Sequence, residues 1–318
     1  MIWKVLLIGL GNISFKYDIK KSDNIIQTHA RAFSTHDGFQ IVGGVDPVAS
    51  NRELFDELFG IRAFKTISKA FDEIQADVVV IASPTQFHLD NIQEVLSNLR
   101  PQVILLEKPA SYTKDTAHQI LALSLESSVP ILINFIRRTD PSFQEVKSKI
   151  DNGFIKLPCK GVVWYSKGLI HNASHFIDLL SWWLGDVKKI DVIEAGRKIN
   201  EWDFEPDLRI QYGDSEVYFL AKKQEEFSYY SIELLASNGR LNFSSDNAAI
   251  SWHDKSESDI GLGSSCLDMD NELYQYQYNV VKDIKRYLDK KKSFLPTIQE
   301  HIKSLDLVYD LVGALKLK

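Results

Sequence analysis

Strand and helix patterns alternate about six times in roughly the first 135 residues, and few architectures accept that rhythm. Apolar runs at 2–8, 39–45, 77–82, 103–106 and 131–135 are spaced by helical periodicities over 28–33, 49–59, 86–99 and 114–127, with a short strand at 61–64 and a short helix at 68–74. Val78-Val79-Val80-Ile81 shows no polar alternation at all, the mark of a strand buried on both faces of a parallel sheet. Such a series predicts a doubly wound α/β sheet, with ligands beyond the carboxyl ends of its strands.

Those ends carry the informative residues. The first run stops at Gly9-Leu10-Gly11-Asn12-Ile13-Ser14. Gly-x-Gly permits a tight turn and lets a phosphate lie against the backbone. Ser14 occupies the third glycine position, where a small side chain still allows close helix-to-strand packing. The second run ends about thirty residues later in Asp46, an acid where a ribose diol would be held. By the same rule Ser83-Pro84-Thr85, His88, Glu107-Lys108-Pro109 and Asn134 open onto one crevice. Residues 15–27 exceed what a turn needs, and are expected to form a lid or rim over a cofactor, with Tyr17 as a contact.

Length and composition set bounds on the rest. A chain of 318 residues suits two domains, here taken as 1–136 and 137–318, with the last helices able to pack back on the first. The net charge of −6, with no basic block beyond Lys290-Lys291-Lys292, gives a nucleic-acid partner no electrostatic footprint. Two cysteines, Cys159 and Cys266, lack pairing or metal-ligand spacing, which fits a reducing compartment. No apolar run approaches a membrane span and no leader pattern precedes the first strand, so no membrane partner and a cytoplasmic location are expected.

From Asp140-Pro141 the alternation ceases. A helix over 142–152 is followed by strand patterns at 159–166, 190–195, 207–212, 216–221, 230–237, 240–243 and 248–252, with hairpin signals at Gly213-Asp214 and Asn238-Gly239. These predict an α+β domain with a large, mostly antiparallel sheet. Residues 254–265 read as a polar loop, and helices over about 271–291 and 298–315 close the chain. Between the first two of these strands, Phe176, Ile177, Leu180, Trp183 and Leu184 recur at helical spacing, with Asn172 as an expected cap. His171 and His175 lie four apart on this segment. With no acid at ligand spacing beside them, no metal is expected.

Taken together, Gly9-x-Gly11, Val45-Asp46-Pro47, Ala82-Ser83-Pro84-Thr85 with His88, and above all Glu107-Lys108-Pro109 resemble the glucose-fructose oxidoreductase, inositol dehydrogenase and rhizopine-catabolism (Gfo/Idh/MocA) family. The resemblance continues in the second half: His175, Asp178 and Leu179, then Trp183-Leu184-Gly185, follow that family's helix motif. His171 stands where the motif carries an acid. The likeness implies a Rossmann domain and a second domain whose outer sheet face forms subunit contacts, giving a homodimer or homotetramer. It also implies a cis Lys108–Pro109 peptide.

The chemistry implied is hydride transfer between a nicotinamide cofactor and a sugar-type hydroxyl or ketone, with the protein orienting both and handling one proton. Lys108 would hydrogen-bond the reacting oxygen, and His175 would serve as general acid/base with His171 as relay or hydroxyl contact. The cofactor would be held by Gly9, Gly11, Asn12, Ile13, Ser14, Asp46, Ser83, Pro84, Thr85, His88, Glu107, Lys108 and Asn134. Asp46 favours NAD over NADP, because an acid accepts the 2′-hydroxyl and repels a 2′-phosphate. Arg138, Tyr165, Lys167 and Asn172 are the expected substrate contacts, and the basic pair suits a nucleotide sugar or sugar acid of bacterial carbohydrate or surface-polysaccharide metabolism. A non-catalytic dinucleotide sensor of the same fold is the competing reading.

Overall fold

A computed structural model describes residues 2–246, 248–255 and 265–316. The chain divides into two compact units, one running to Thr139 and taking in Tyr274–Ile302, the other comprising Asp140–Leu273 and the chain from Lys303.

In the first unit β1 (Trp3–Ile8), α1 (His29–Thr35), β2 (Phe39–Val45), α2 (Ala49–Phe59), β3 (Ala63–Phe64), α3 (Ile67–Phe71), β4 (Val78–Ile81), α4 (His88–Asn98), β5 (Val103–Leu106), α5 (Lys114–Ser127) and β6 (Ile131–Ile133) follow in order. The six strands pair in parallel in the order β3-β2-β1-β4-β5-β6, so the order reverses between β1 and β4. A crevice opens at that reversal, beyond the strand ends. All four residues of β4 are buried, as its unbroken β-branched run requires. Helix starts are set by threonine: Thr28, Thr66 and Thr113 accept the amides of Arg31, Lys69 and Thr116 at the heads of α1, α3 and α5.

The second unit holds α6 (Pro141–Asp151), β7 (Lys160–Tyr165), α7 (Ser174–Leu184), β8 (Val187–Lys198), β9 (Phe204–Tyr212), β10 (Ser215–Ala221), β11 (Ser231–Ala236), β12 (Gly239–Ser244), β13 (Ile250–Asp254) and β14 (Cys266–Met269). Its eight strands run in the order β14-β13-β12-β11-β7-β10-β9-β8, antiparallel except where β10 meets β7. Asp140 caps α6 through the Ser142 amide and Pro141 occupies its first turn. Of the loop expected over 254–265, residues 256–264 lie outside those described. Strand β14 escaped the sequence reading, because Cys266-Leu267-Asp268-Met269 is too short and mixed to announce itself.

Helix α8 (Tyr276–Leu288) belongs to the first unit, and α9 (Ile298–Lys316) ends the described chain. Val280, Val281, Ile284 and Leu288 of α8 join Phe33, Phe39, Val78 and Leu105 in one buried cluster. No helix among the described residues is long and apolar enough to cross a membrane.

Candidate functional site

The turn after β1 is built for close approach. Gly9 has φ +88°, and a Cβ there would lie 2.5 Å from the Ser83 amide nitrogen, so only glycine allows the β1 and β4 ends to meet. A Cβ on Gly11 would meet nothing within 4 Å, which marks backbone facing open space. Around these glycines lies a cleft of about 750 Å³, within the size range of cofactor sites. Of the expected cofactor residues, Gly9, Gly11, Asn12, Ile13, Asp46, Ser83 and Pro84 line it, and so does Tyr17.

Asp46 sits at the end of β2 with its carboxylate anchored: Oδ2 accepts the Leu10 amide at 2.8 Å and Oδ1 accepts the Val48 amide at 2.8 Å. A carboxylate has about four acceptor positions, so capacity remains for hydroxyl donors. Arg52 donates through Nη1 to the Asp46 and Pro47 carbonyls, at 2.8 and 2.9 Å, and with Lys65 at the cleft wall adds positive charge the sequence reading did not weigh. Residues 12–16 form a single wide π-type turn. The segment after it is closed by buried Asp18, which accepts the amides of Gln27 and Thr28 and the Thr28 hydroxyl at 2.8, 3.0 and 2.9 Å.

Ser14, Thr85, His88, Glu107, Lys108 and Asn134 are not among the residues lining that cleft. His88 is buried, with Nε2 2.9 Å from the Ser83 carbonyl and Nδ1 3.1 Å from that of Ala110. Burial lowers its pKa, so the neutral ring donates to one carbonyl at a time and braces two strand-end loops. Glu107 is equally structural. Its Oε1 takes His29 Nε2 at 2.8 Å and Asn134 Nδ2 at 2.6 Å, and its Oε2 takes the Lys108 amide at 3.2 Å. Burial works to raise the Glu107 pKa, but the bonds from His29 and Asn134 outweigh it and hold the group below the usual carboxylate range. Lys108 is half-buried and follows directly, and the Lys108–Pro109 peptide is cis. His29, in the first turn of α1, was not singled out from sequence.

Arg138 is buried, and its charge acts on His301. Burial first, and Arg138 second, push the His301 pKa down to about 3.

In the second unit the histidine segment starts as a π-type turn over Leu169–Ala173, before α7 begins at Ser174. Asn172 does not cap α7, because its Nδ2 donates to the Ser166 carbonyl at 2.7 Å and Ala173 holds the cap position. Tyr165 is fully buried and its hydroxyl donates to the Pro206 carbonyl at 2.5 Å, so it points into the core rather than towards a ligand. Lys167 is exposed with φ +69°, its amide bonded to Glu205 Oε1 at 2.8 Å. His175 is buried, while the His171 side chain is 35% exposed.

Two acids at the head of β9 organise this segment, and neither was singled out from sequence. Glu205 accepts the amides of Lys167 and Gly168 and pairs with Arg197. Asp203, fully buried, accepts the amides of Ile170 and His171 at 2.9 Å and sits 2.8 Å from His171 Nδ1. The available signal was a run of acids at alternate positions, Asp203, Glu205 and Asp207, where the strand opens.

A reversed parallel sheet, a glycine turn against β4 and an anchored acid at the β2 end define a dinucleotide-binding domain. Residues 3–135 match the GFO_IDH_MocA model, described as an oxidoreductase family with an NAD-binding Rossmann fold. The rhizopine catabolism protein MocA of Rhizobium meliloti is 26% identical over 141 residues, 44% of each chain. The match thus spans less than half the length of the first curated relatives. Among solved structures, the WlbA dehydrogenase from Bordetella pertussis in complex with NADH and UDP-GlcNAcA has a TM-score of 0.78 at 17% identity, covering 100% of this chain and 97% of that one. A super-repressor mutant of Gal80p from Saccharomyces cerevisiae has a TM-score of 0.79 at 15% identity, covering 100% and 96%. At those identities the likeness is one of fold.

Proposed function

We propose that the chain is an NAD-dependent dehydrogenase or reductase acting on a sugar-type secondary hydroxyl or its ketone. The observation that carries this is the cleft itself: Gly11 backbone facing open space, with Asp46 held by two amides at its wall. Gly9 to Ile13 would hold the pyrophosphate and Asp46 the ribose, which leaves the nicotinamide to supply the hydride chemistry. Lys108, whose amide is pinned to Glu107, would hydrogen-bond the reacting oxygen and stabilise alkoxide character. The proton would be handled by the histidine segment, with His175 as general acid/base and His171 beside it in sequence.

A nucleotide sugar or sugar acid is the proposed substrate class, supported by the exposed charge of Lys167 and by the UDP-GlcNAcA bound in the WlbA complex. A cytoplasmic location and association through the outer face of the eight-stranded sheet complete the reading. That face alternates outward in β7, where Lys160, Val162 and Trp164 turn away from buried Gly161, Val163 and Tyr165.

The competing reading, a dinucleotide sensor without catalysis, draws on the Gal80p fold likeness and on His171 at the acid position. Incubating the protein with NAD and UDP-GlcNAcA, UDP-N-acetylglucosamine or myo-inositol, and following nicotinamide absorbance, separates the two. Turnover is expected with at least one, falling about 100-fold or more in Lys108→Ala. Tight NADH binding without turnover of any would favour the sensor.

A further inference from the structure

His171 replaces an acid in the related motif, yet an acid stands directly behind it. Asp203 Oδ2 is 2.8 Å from His171 Nδ1 and accepts the His171 amide at 2.9 Å, so one oxygen holds both ends of the same residue. Oδ1 accepts the Ile170 and Phe204 amides, both at 2.9 Å. Space has been cleared for the carboxylate: a Cβ on Gly168, at φ +91°, would fall 2.1 Å from Oδ2. Among the described residues the hydrogen-bond partners of these oxygens are three backbone N–H groups and His171 Nδ1, and an ionised carboxylate only accepts. The nitrogen of His171 that faces Asp203 must therefore carry its proton.

Resting on the dehydrogenase reading above, we propose that Asp203 is a positioning residue that fixes His171 as the Nδ1–H tautomer, making Nε2 the proton acceptor in place of the motif's missing carboxylate. The basic lone pair then lies on the far side of the ring from Asp203, on a side chain that is 35% exposed. His175, the general acid/base of that reading, is buried, so this proposal refines it: the first proton transfer goes to His171, and His175 serves behind it. In the oxidising direction the substrate O–H would break with its proton bonding to Nε2, while a nicotinamide, when bound, would supply the acceptor for the C–H electron pair. The products are ketone, reduced cofactor and an imidazolium whose charge Asp203 stabilises across one hydrogen bond. Solvent access returns the proton to water. Glu205, bonded to the Lys167 and Gly168 amides, holds the other end of the same turn, so two buried acids aim one imidazole.

The tautomer can be read directly and without turnover. In the ¹⁵N-labelled 318-residue chain, long-range proton–nitrogen correlations, with His171 assigned by His171→Gln, should show Nδ1 protonated and Nε2 bare. A proton on Nε2 overturns the proposal. In Asp203→Asn the amide can donate, and His171 is expected to move to the Nε2–H form while NADH titration by Trp quench stays within about twofold. With UDP-GlcNAcA and NAD as probes, kcat of that variant should fall on the order of 100-fold with KM little changed. Added imidazole should restore part of the rate in His171→Ala but not in His171→Ala/Asp203→Asn, a difference that a purely structural role for Asp203 would not produce. An unchanged kcat in Asp203→Asn also overturns it. Should the wild type turn over neither this sugar nor the other two probes, the dehydrogenase reading falls and the tautomer alone decides the Asp203–His171 pairing.

Discussion

Gly9 is the residue on which the cofactor site depends most. Its left-handed backbone leaves no room for a methyl group, which would fall 2.5 Å from the Ser83 nitrogen. In Gly9→Ala the β1 and β4 ends must part, and NADH affinity is expected to fall at least about tenfold with a stability loss of about 1–3 kcal/mol. Intrinsic Trp quench and urea unfolding measure the two effects; a variant matching wild type in both would mean the cleft does not hold the cofactor. Asp46 tests selectivity. Wild type should bind NADH more tightly than NADPH, and Asp46→Ala should narrow or reverse that ratio, because Lys65 remains at the wall and Arg52 stays bonded to the residue 46 carbonyl. A wild-type preference for NADPH would sink the role given to Asp46. At this scale the sequence spoke clearly where chemistry and backbone geometry coincide, as at Gly9, Gly11 and Asp46. It was silent on Asp203 and His29, whose partners lie 32 and 78 residues away, a distance no local pattern spans.

Elements were legible in proportion to their periodicity. Helices α2 and α5 and strand β5 fall where the apolar pattern and their caps put them, whereas β14 and the π-type turns at 12–16 and 169–173 carry no periodic signal. The segment 15–27, an apparent insertion, is tied back by Asp18 onto the cap of α1. Asp18→Ala strands three donors and is expected to cost about 1–3 kcal/mol. It should also speed proteolytic cleavage within 19–26; wild-type cleavage rates would show that other contacts hold the segment. Helix α9 brings a pH dependence. His301, against the ring of Phe135 with centroids 5.6 Å apart, has a pKa of about 3 when folded and about 6.5 when unfolded. Below pH 6.5 the unfolded chain binds the extra proton, so this contribution is fully present above 6.5 and is lost as pH falls towards 3. The slope is up to about 1.4 kcal/mol per pH unit. Between pH 7 and pH 5, His301→Gln should lose about 2 kcal/mol less than wild type by urea unfolding. Equal losses would contradict a neutral buried ring.

On the scale of the whole molecule, the eight-stranded sheet presents Trp164 at 39% exposure, with Val162, Tyr218 and Leu220 on its paired rows. Lys160, Arg209, Asp191 and Glu216 surround them in ion pairs. An apolar centre with a charged rim is the anatomy of a protein interface. Light scattering should give more than one chain per particle for wild type and a shift towards monomer for Trp164→Glu; a monomeric wild type would end the proposal.

The placement of α8 bears on how the chain is made. The core of the first unit includes Val280, Val281, Ile284 and Leu288, although its strands end at Ile133. On the ribosome that core stays open while about 140 further residues are added, roughly 7–30 s at ordinary translation speeds. Throughout that interval the apolar surface α8 will cover is bare, which leaves the nascent first unit open to aggregation long after its sheet has been synthesised.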